Sequence, residues 1–189
     1  MLAKKSMIYL ASQSPRRKEI LQDLGVSFRV IRSSYHEKKI PGISAEELVL
    51  RHAWGKAVQA RIPNKKRWVL GADTIVSCKD TVLGKPKSMK DAFRMIQMLS
   101  GKSHEVYTGL VLLQPSSGKA YSGVAVTKVH FKRLKQQDIQ KYFQTMNPLD
   151  KAGAYAIQEG AGIVEKIEGS YTNVVGLPVE LLKLILKNI

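Results

Sequence analysis

Three stretches of this chain gather residue types that handle phosphate. In SQSPRRKEIL (residues 12–21), Ser14 reads as a good helix cap, Pro15 suits the first helical position, and Arg16 and Arg17 follow at once. A helix N-terminus exposes unpaired N–H groups and a partial positive charge, and an arginine presents planar bidentate donors, so this segment can bind a phosphate. The same residues also suit a capped surface helix with two solvated arginines. The second stretch is GADTIV (71–76) followed by LGKP (83–86). Asp73 at a strand end can hold a divalent metal or activate water, and Lys85 sits on a loop from which an ammonium reaches a phosphate. The alternative is an aspartate making turn hydrogen bonds beside an exposed lysine. The third, DKAGAYAIQEGAG (150–162), runs into IEGSYTNVVGLP (167–178). Glycines interleaved with Tyr155, Gln158, Glu159, Tyr171 and Asn173 suggest a loop wall around a flat ligand. Gln158 carries both donor and acceptor, as the polar edge of a nucleobase requires. Turns that need glycine conformations would look the same.

The elements that position these groups alternate along the chain. Met7–Ala11 reads as a short buried strand, and Ser14-Pro15 opens a helix with Ile20, Leu21 and Leu24 on its apolar side and Gly25 at its end. Ser27–Ile31 alternates as a strand. Ser44-Ala45-Glu46-Glu47 is a capping box heading a helix to about Ala60. Trp68–Cys78 reads as a strand, Lys79-Asp80 as a turn, and Thr81–Leu83 as a short return. Ser88 caps a further helix with Ala92, Met95, Ile96 and Leu99 inward. Two long β segments run from His104 to Arg133 about a turn at 115–118, and Asp138–Thr145 is helical. The glycine-rich stretch 151–176 is expected to hold short strands, and Leu177-Pro178 to begin a closing amphipathic helix. Trp54, Trp68 and Phe93 read as core or lobe-interface residues, and Cys78 as a small buried hydrophobe. The fold class is α/β with a mixed sheet, in a single domain over residues 1–189.

Composition narrows the partners. Lysine and arginine number 31 against 15 aspartates and glutamates, a formal charge of +16, so the chain attracts polyanions. With 44% hydrophobic and 24% charged residues it is neither disordered, collagen-like nor a coiled coil. One cysteine, no signal-peptide pattern and no apolar run of about 20 residues point to a cytoplasmic location away from membranes. The four histidines lack the spacing of a transition-metal site.

Taken together, LASQSPRRKEIL, GADTIV with LGKP, LSGKSHEVYTG (99–109), and DKAGAYAIQ with IEGSYTNVVGLP resemble the Maf family of nucleoside triphosphate pyrophosphatases, in order from Ala11 to Pro178. The resemblance implies an elongated α/β fold with a mixed sheet, two lobes and a central cleft, often homodimeric. It implies metal-dependent hydrolysis, with Mg²⁺ or Mn²⁺, between the α- and β-phosphates of a nucleotide. Carried over residue by residue, it implies a site of Ser12, Arg16, Arg17, Glu37, Lys56, Asp73, Lys85 and Gln158. Arg16, Arg17, Lys56 and Lys85 would neutralise the triphosphate and the departing pyrophosphate. Asp73 would ligate the metal or orient the water, with Glu37 as the second carboxylate. The A-Y-A-I-Q form at 154–158, with Thr74 after the aspartate, resembles the branch acting on dTTP and UTP, which makes Thr74 and Gln158 the base-selecting pair. The family's acidic D-x-D-E stretch is reduced here to Glu37, behind Ser34, Tyr35 and His36; a histidine there would add pH dependence if it lay near the metal.

Two alternatives remain at this level. One is a nucleic-acid-binding or division-regulating protein that keeps the fold, which the net charge favours. Its basic residues are scattered, as in Lys65-Lys66-Arg67 and Lys132-Arg133, without interleaved aromatics, so polyanion binding is expected to be secondary. The other is a pyrophosphatase specific for 7-methyl-GTP.

Overall fold

In the computed structural model, residues 7–38, 40–79, 81–158 and 162–189 are described. The elements run β1 (Ile8–Leu10), α1 (Pro15–Asp23), β2 (Phe28–Val30), α2 (Ala45–Val58), β3 (Val69–Cys78), β4 (Thr81–Leu83), α3 (Met89–Leu99), β5 (Ser103–Gln114), β6 (Lys119–Phe131), α4 (Gln136–Thr145), β7 (Val164–Glu168), α5 (Tyr171–Val175) and α6 (Val179–Leu186). All seven strands join one mixed sheet in the order β2-β1-β3-β5-β6-β7, with β4 paired to β3. β1 runs parallel to β2 and β3, whereas β3, β5, β6 and β7 are antiparallel neighbours.

Alternation along β3 sends its side chains to two different layers. On one face Val69 and Ile75 pack with Ala53, Ala57, Leu48 and Val49 of α2. On the other, Leu70 and Ala72 join Leu21, Leu110, Leu182 and Ile185 beneath α1 and α6. Further along that second face, Val76 belongs to a separate cluster with Ile96, Leu99, Phe131 and Ile139 beneath α3 and α4. Two apolar clusters thus sit end to end on one side of the long strands, and the cleft opens at their junction.

One register detail makes that cleft. β1 leaves β3 after the Leu10–Leu70 pair, and β4 joins only at Val76. From 71 to 75, β3 is paired on its β5 side, and its other edge has no strand against it among the described residues. All but the last residue of the motif GADTIV lie in that interval.

Most of the expected elements are present. The stretch 151–176 differs: it holds one strand, β7, with a 3₁₀ turn at Ala152–Ala154 and the short helix α5. Ser170 makes the helix, its hydroxyl accepting from Asn173 N–H at 3.2 Å, and Gly176 ends it at φ +113°. Trp54 is not a core residue; it is 44% exposed, because α2 turns Leu48, Val49, Ala53 and Ala57 to the sheet instead. Ser14 precedes α1 without a side-chain cap, and its N–H donates to Ser12 Oγ at 3.3 Å.

Two predictions come from this packing. A Cβ on Gly71 would stand 2.1 Å from the Ala53 carbonyl oxygen, so α2 reaches the sheet only because that position has no side chain. Gly71→Ala should destabilise the fold by about 1–3 kcal/mol, against a change within about 0.5 kcal/mol for Gly84→Ala, which meets nothing within 4 Å. Urea unfolding of both variants checks this; equal midpoints would refute the close approach. His104 gives the second. It is buried, bonded through Nε2 to the Tyr155 hydroxyl at 2.8 Å and edge-on to Phe131. Burial first, and His130 second, hold its pKa down at about 4 from 6.5. The folded histidine stays neutral while the unfolded one takes a proton, so its contribution is complete above about pH 6.5 and fades as pH falls toward 4. The slope is up to about 1.4 kcal/mol per pH unit. Stability measured across this window should fall less steeply in His104→Gln.

Candidate active site

The unpaired edge of β3 needs substitutes for a strand, and side chains supply them. The Ala72 carbonyl accepts from Arg17 Nη1 at 3.0 Å and from Lys56 Nζ at 3.4 Å. The two cations approach from opposite layers, Arg17 from α1 and Lys56 from α2. The next two residues point apart: Asp73 toward α2 and Thr74 toward α1. Around them lies a cleft of about 640 Å³ whose lining includes Ser12, Arg16, Arg17, Glu37, Lys56, Asp73, Thr74, Lys85 and Gln158. All the residues carried over from the family resemblance are therefore brought to one place.

Lys56 is the centre of the α2 side. Its ammonium donates to Asp73 Oδ1 at 2.5 Å and meets Glu37 Oε1 at 2.6 Å, which joins two carboxylates 36 positions apart in sequence. Asp73 is buried, and its Oδ2 has no hydrogen-bond partner among the described residues. Burial pushes its carboxyl up; Lys56 opposes this and the charge of Glu37 adds to it, leaving the pKa above the ordinary aspartate range. Burial also pushes Glu37 up, but Lys56, Lys85 and His52 together outweigh it, and Glu37 titrates below its usual range. The two carboxylates thus share a lysine and differ in environment.

Arg17 has another part. Its Nε donates to the Gly176 carbonyl at 2.8 Å, Nη1 to Ser12 Oγ and the Ala72 carbonyl, each at 3.0 Å, and Nη2 to Thr74 Oγ1 at 3.0 Å. Four of the five guanidinium N–H groups are consumed inside the protein, so Arg17 ties α1, β3 and the end of α5 together. Thr74 is likewise engaged: its hydroxyl also bonds Thr108 Oγ1 at 2.9 Å. Arg16 is freer, with one ion pair to Asp150 at 3.5 Å. The loop carrying Lys85 is fixed where the Gly84 carbonyl accepts from Gly153 N–H at 3.0 Å. Among the described residues of the lining, six cations (Arg16, Arg17, Lys38, Lys56, Lys85, Lys151) face three carboxylates (Glu37, Asp73, Asp150), which suits a polyanionic ligand.

The expected loop wall is assembled in part. Tyr155 and Gln158 line the cleft, Gln158 exposed at its mouth. Glu159 lies outside the described residues. Tyr171 is exposed elsewhere. Asn173 is fully buried, donating to the Val106 carbonyl and to Thr127 Oγ1, while its own carbonyl accepts from Thr108. The lining from that segment is instead Val174, Val175 and Gly176. His36 is exposed and outside the lining of the cleft. Tyr35 and His52 belong to the cleft and were not singled out as site residues; His52 and Lys56, one helical turn apart on α2, were the available signal.

Asp73 and Glu37 offer hard oxygen donors, and the orphaned Asp73 Oδ2 is the kind of buried atom a cation would satisfy. No cluster of three or more histidines, cysteines or carboxylates with metal-binding geometry occurs among the described residues, so a cation here would need oxygens from its ligand as well. No helix among the described residues is long and apolar enough to cross a membrane.

Comparison with known proteins agrees with this geometry. A dTTP/UTP pyrophosphatase of Geobacter sp. (strain M21) is 49% identical over 177 residues, covering 93% of this chain and 92% of its own length. A dTTP/UTP pyrophosphatase of Acetivibrio thermocellus is 46% identical over 189 residues, with 96% and 94% covered. One from Clostridium botulinum is 44% identical over 180 residues, covering 93% of each chain. The family model described as Maf-like protein matches residues 7–189. With the family model spanning the sheet, the cleft and every residue gathered at the β3 edge, the chain belongs to the Maf-like protein family.

Proposed function

We propose that this protein is a nucleoside triphosphate pyrophosphatase that hydrolyses dTTP and UTP to the monophosphate and pyrophosphate. The observation that carries the reading is the pairing of Asp73 and Glu37 on Lys56 inside a cleft otherwise lined by cations. The relatives named above, similar over nearly their whole length, support the same reaction and the same two nucleotides.

In this reaction water adds to the α-phosphorus, the bond to the α–β bridging oxygen breaks, and the electron pair leaves with pyrophosphate. Arg16 and Lys85 lie where they can neutralise the phosphate chain without first breaking a buried bond network. Lys56 holds the two carboxylates together and offsets their mutual repulsion. Arg17 keeps one N–H for a ligand and otherwise preserves the cleft's shape. Asp73 Oδ2 is the atom that orients the attacking water or joins a cation. A bound Mg²⁺ or Mn²⁺ would supply charge neutralisation and water activation, held by Asp73, Glu37 and substrate oxygens. Gln158 at the mouth reads the base edge, whereas Thr74 acts from behind Arg17. The reading includes a cytoplasmic location and a homodimer; light scattering on the purified protein checks the latter.

A panel of dTTP, UTP, 5-methyl-UTP, 7-methyl-GTP and GTP with Mg²⁺ or Mn²⁺, scoring pyrophosphate and orthophosphate separately, tests the reading. Pyrophosphate from dTTP and UTP is expected. In Asp73→Asn, kcat should drop about 10²–10⁴-fold with unfolding unchanged. Turnover of 7-methyl-GTP alone would refute the base assignment, and turnover of none would favour polyanion binding. Gln158→Ala should narrow the preference for dTTP and UTP over GTP more than it lowers kcat; an unchanged substrate profile would remove Gln158 from base selection.

A further inference from the structure

The segment between β2 and α2 crosses the helix that carries Lys56, and its anchors follow one face of that helix. Residues 52, 55 and 56 of α2 and its C-cap Gln59 fall on this face at helical spacing. Ser33 bridges to Ala60, and Ser34 N–H donates to the Gln59 carbonyl at 3.2 Å. One residue on, the Tyr35 ring lies over Gly55. A Cβ at Gly55 would come 2.2 Å from Tyr35 Cε2, so the absence of a side chain creates the seat. The Tyr35 hydroxyl bonds His52 Nδ1 at 2.9 Å, and His52 is only 4% exposed, a firm partner. Two residues later Glu37 arrives at Lys56.

We propose that Tyr35, seated in the Gly55 notch and hydrogen-bonded to His52, is a positioning residue that holds Glu37 on Lys56 and thereby sets the cleft's affinity for a divalent cation. The second half rests on the reading of Glu37 as a metal ligand. Glu37 itself is half-exposed on a connection with no regular structure, and its carboxylate has one ion-pair partner, Lys56, among the described residues. Placement of that carboxylate relies on what precedes it. The family resemblance implies further carboxylates at the positions of Ser34 and His36, and between them, at the variable position, this chain has a ring in a notch. The anchor adds order where charge is missing: a single carboxylate held in place loses less conformational freedom on meeting a cation than a free one would.

The test uses the full chain without nucleotide, so activity does not enter. Mn²⁺ binding is followed by the electron paramagnetic resonance of the free ion, and hydrogen exchange is read at the amides of residues 34–38. Tyr35→Ala is expected to raise the Mn²⁺ dissociation constant about tenfold and to speed exchange at those amides. Tyr35→Phe keeps the ring in its seat and loses only the His52 bond, and should fall between the two. The double variant Tyr35→Ala/Glu37→Gln should bind no more weakly than Glu37→Gln, because Tyr35 acts through Glu37. Losses that multiply in the double variant, or exchange at 34–38 that does not change, overturn the proposal. If Glu37→Gln leaves Mn²⁺ binding intact while Tyr35→Ala still speeds exchange, the anchor stands and the ligand role of Glu37 falls. Should Tyr35→Ala fail to fold, His52→Leu removes the hydroxyl's partner without emptying the notch, and the same comparisons decide.

Discussion

A strand edge without a neighbouring strand governs this structure. Backbone polar groups away from water must be paired, and the interval of β3 between the end of β1 and the start of β4 has lost its partner on one side. At Ala72 the missing donors are replaced by a guanidinium from one layer and an ammonium from the other. Once two cations are committed to that edge, the residues beside it are determined. An aspartate at 73 meets the ammonium, a threonine at 74 meets the guanidinium, and the gap where the strand is missing becomes the cleft. The polar site is thus a consequence of how the sheet is interrupted.

The two layers behind the cleft differ in stiffness. On the α1 side, Arg17, Thr74, Thr108, Asn173 and Thr127 form a continuous buried chain of hydrogen bonds reaching Ser170 at the head of α5. The network links α1, β3, β5, β6 and α5 through donors and acceptors that depend on one another, although the side-chain Oδ1 of Asn173 has no partner among the described residues. On the α2 side the contacts are with side chains from an irregular connection. Lys56 is held between Asp73, in a strand, and Glu37, which depends on the Tyr35 seat. Substrate and cation would therefore meet one rigid wall and one adjustable wall. That division suits a site that must admit a flexible phosphate chain and then order it.

The positive charge of the chain is likewise divided by structure. Paired surface lysines and arginines make up much of the excess, but among the described residues of the cleft six cations stand against three carboxylates, each of which contacts a cation. The site is neither a bare cationic groove nor a neutral pocket. It is positive overall with negative charge at its floor, an arrangement suited to anchoring phosphates around one reactive position.

Local chemistry was legible in the sequence because it depends on neighbours a few residues away. Ser44 and Ser88 head their helices by accepting from the N–H three residues on, Pro15 begins α1, and the glycines at 25 and 176 end α1 and α5 in left-handed conformations. The run GADTIV announced a strand, with Asp73 expected at its end where the structure sets it in the middle of β3, and the family resemblance drew Glu37, Lys56 and Gln158 to it. What no local pattern carried was the set of long-range encounters. Arg17 looks in sequence like a second phosphate donor beside Arg16, yet contacts with residues 72, 74 and 176 consume most of its donors. Asn173, read as part of a ligand wall, is buried in the core because α5 forms and turns it inward. Tyr35 gains a role only because Gly55, 20 positions away, leaves room for its ring. Periodicity, charge and the caps at Ser44 and Ser88 are properties of short segments and follow from nearby residues alone, whereas Ser14 heads α1 without a side-chain cap. Which donors are already taken, and which side chain has a seat, were decided only by the tertiary structure, because both depend on segments that meet when the sheet assembles.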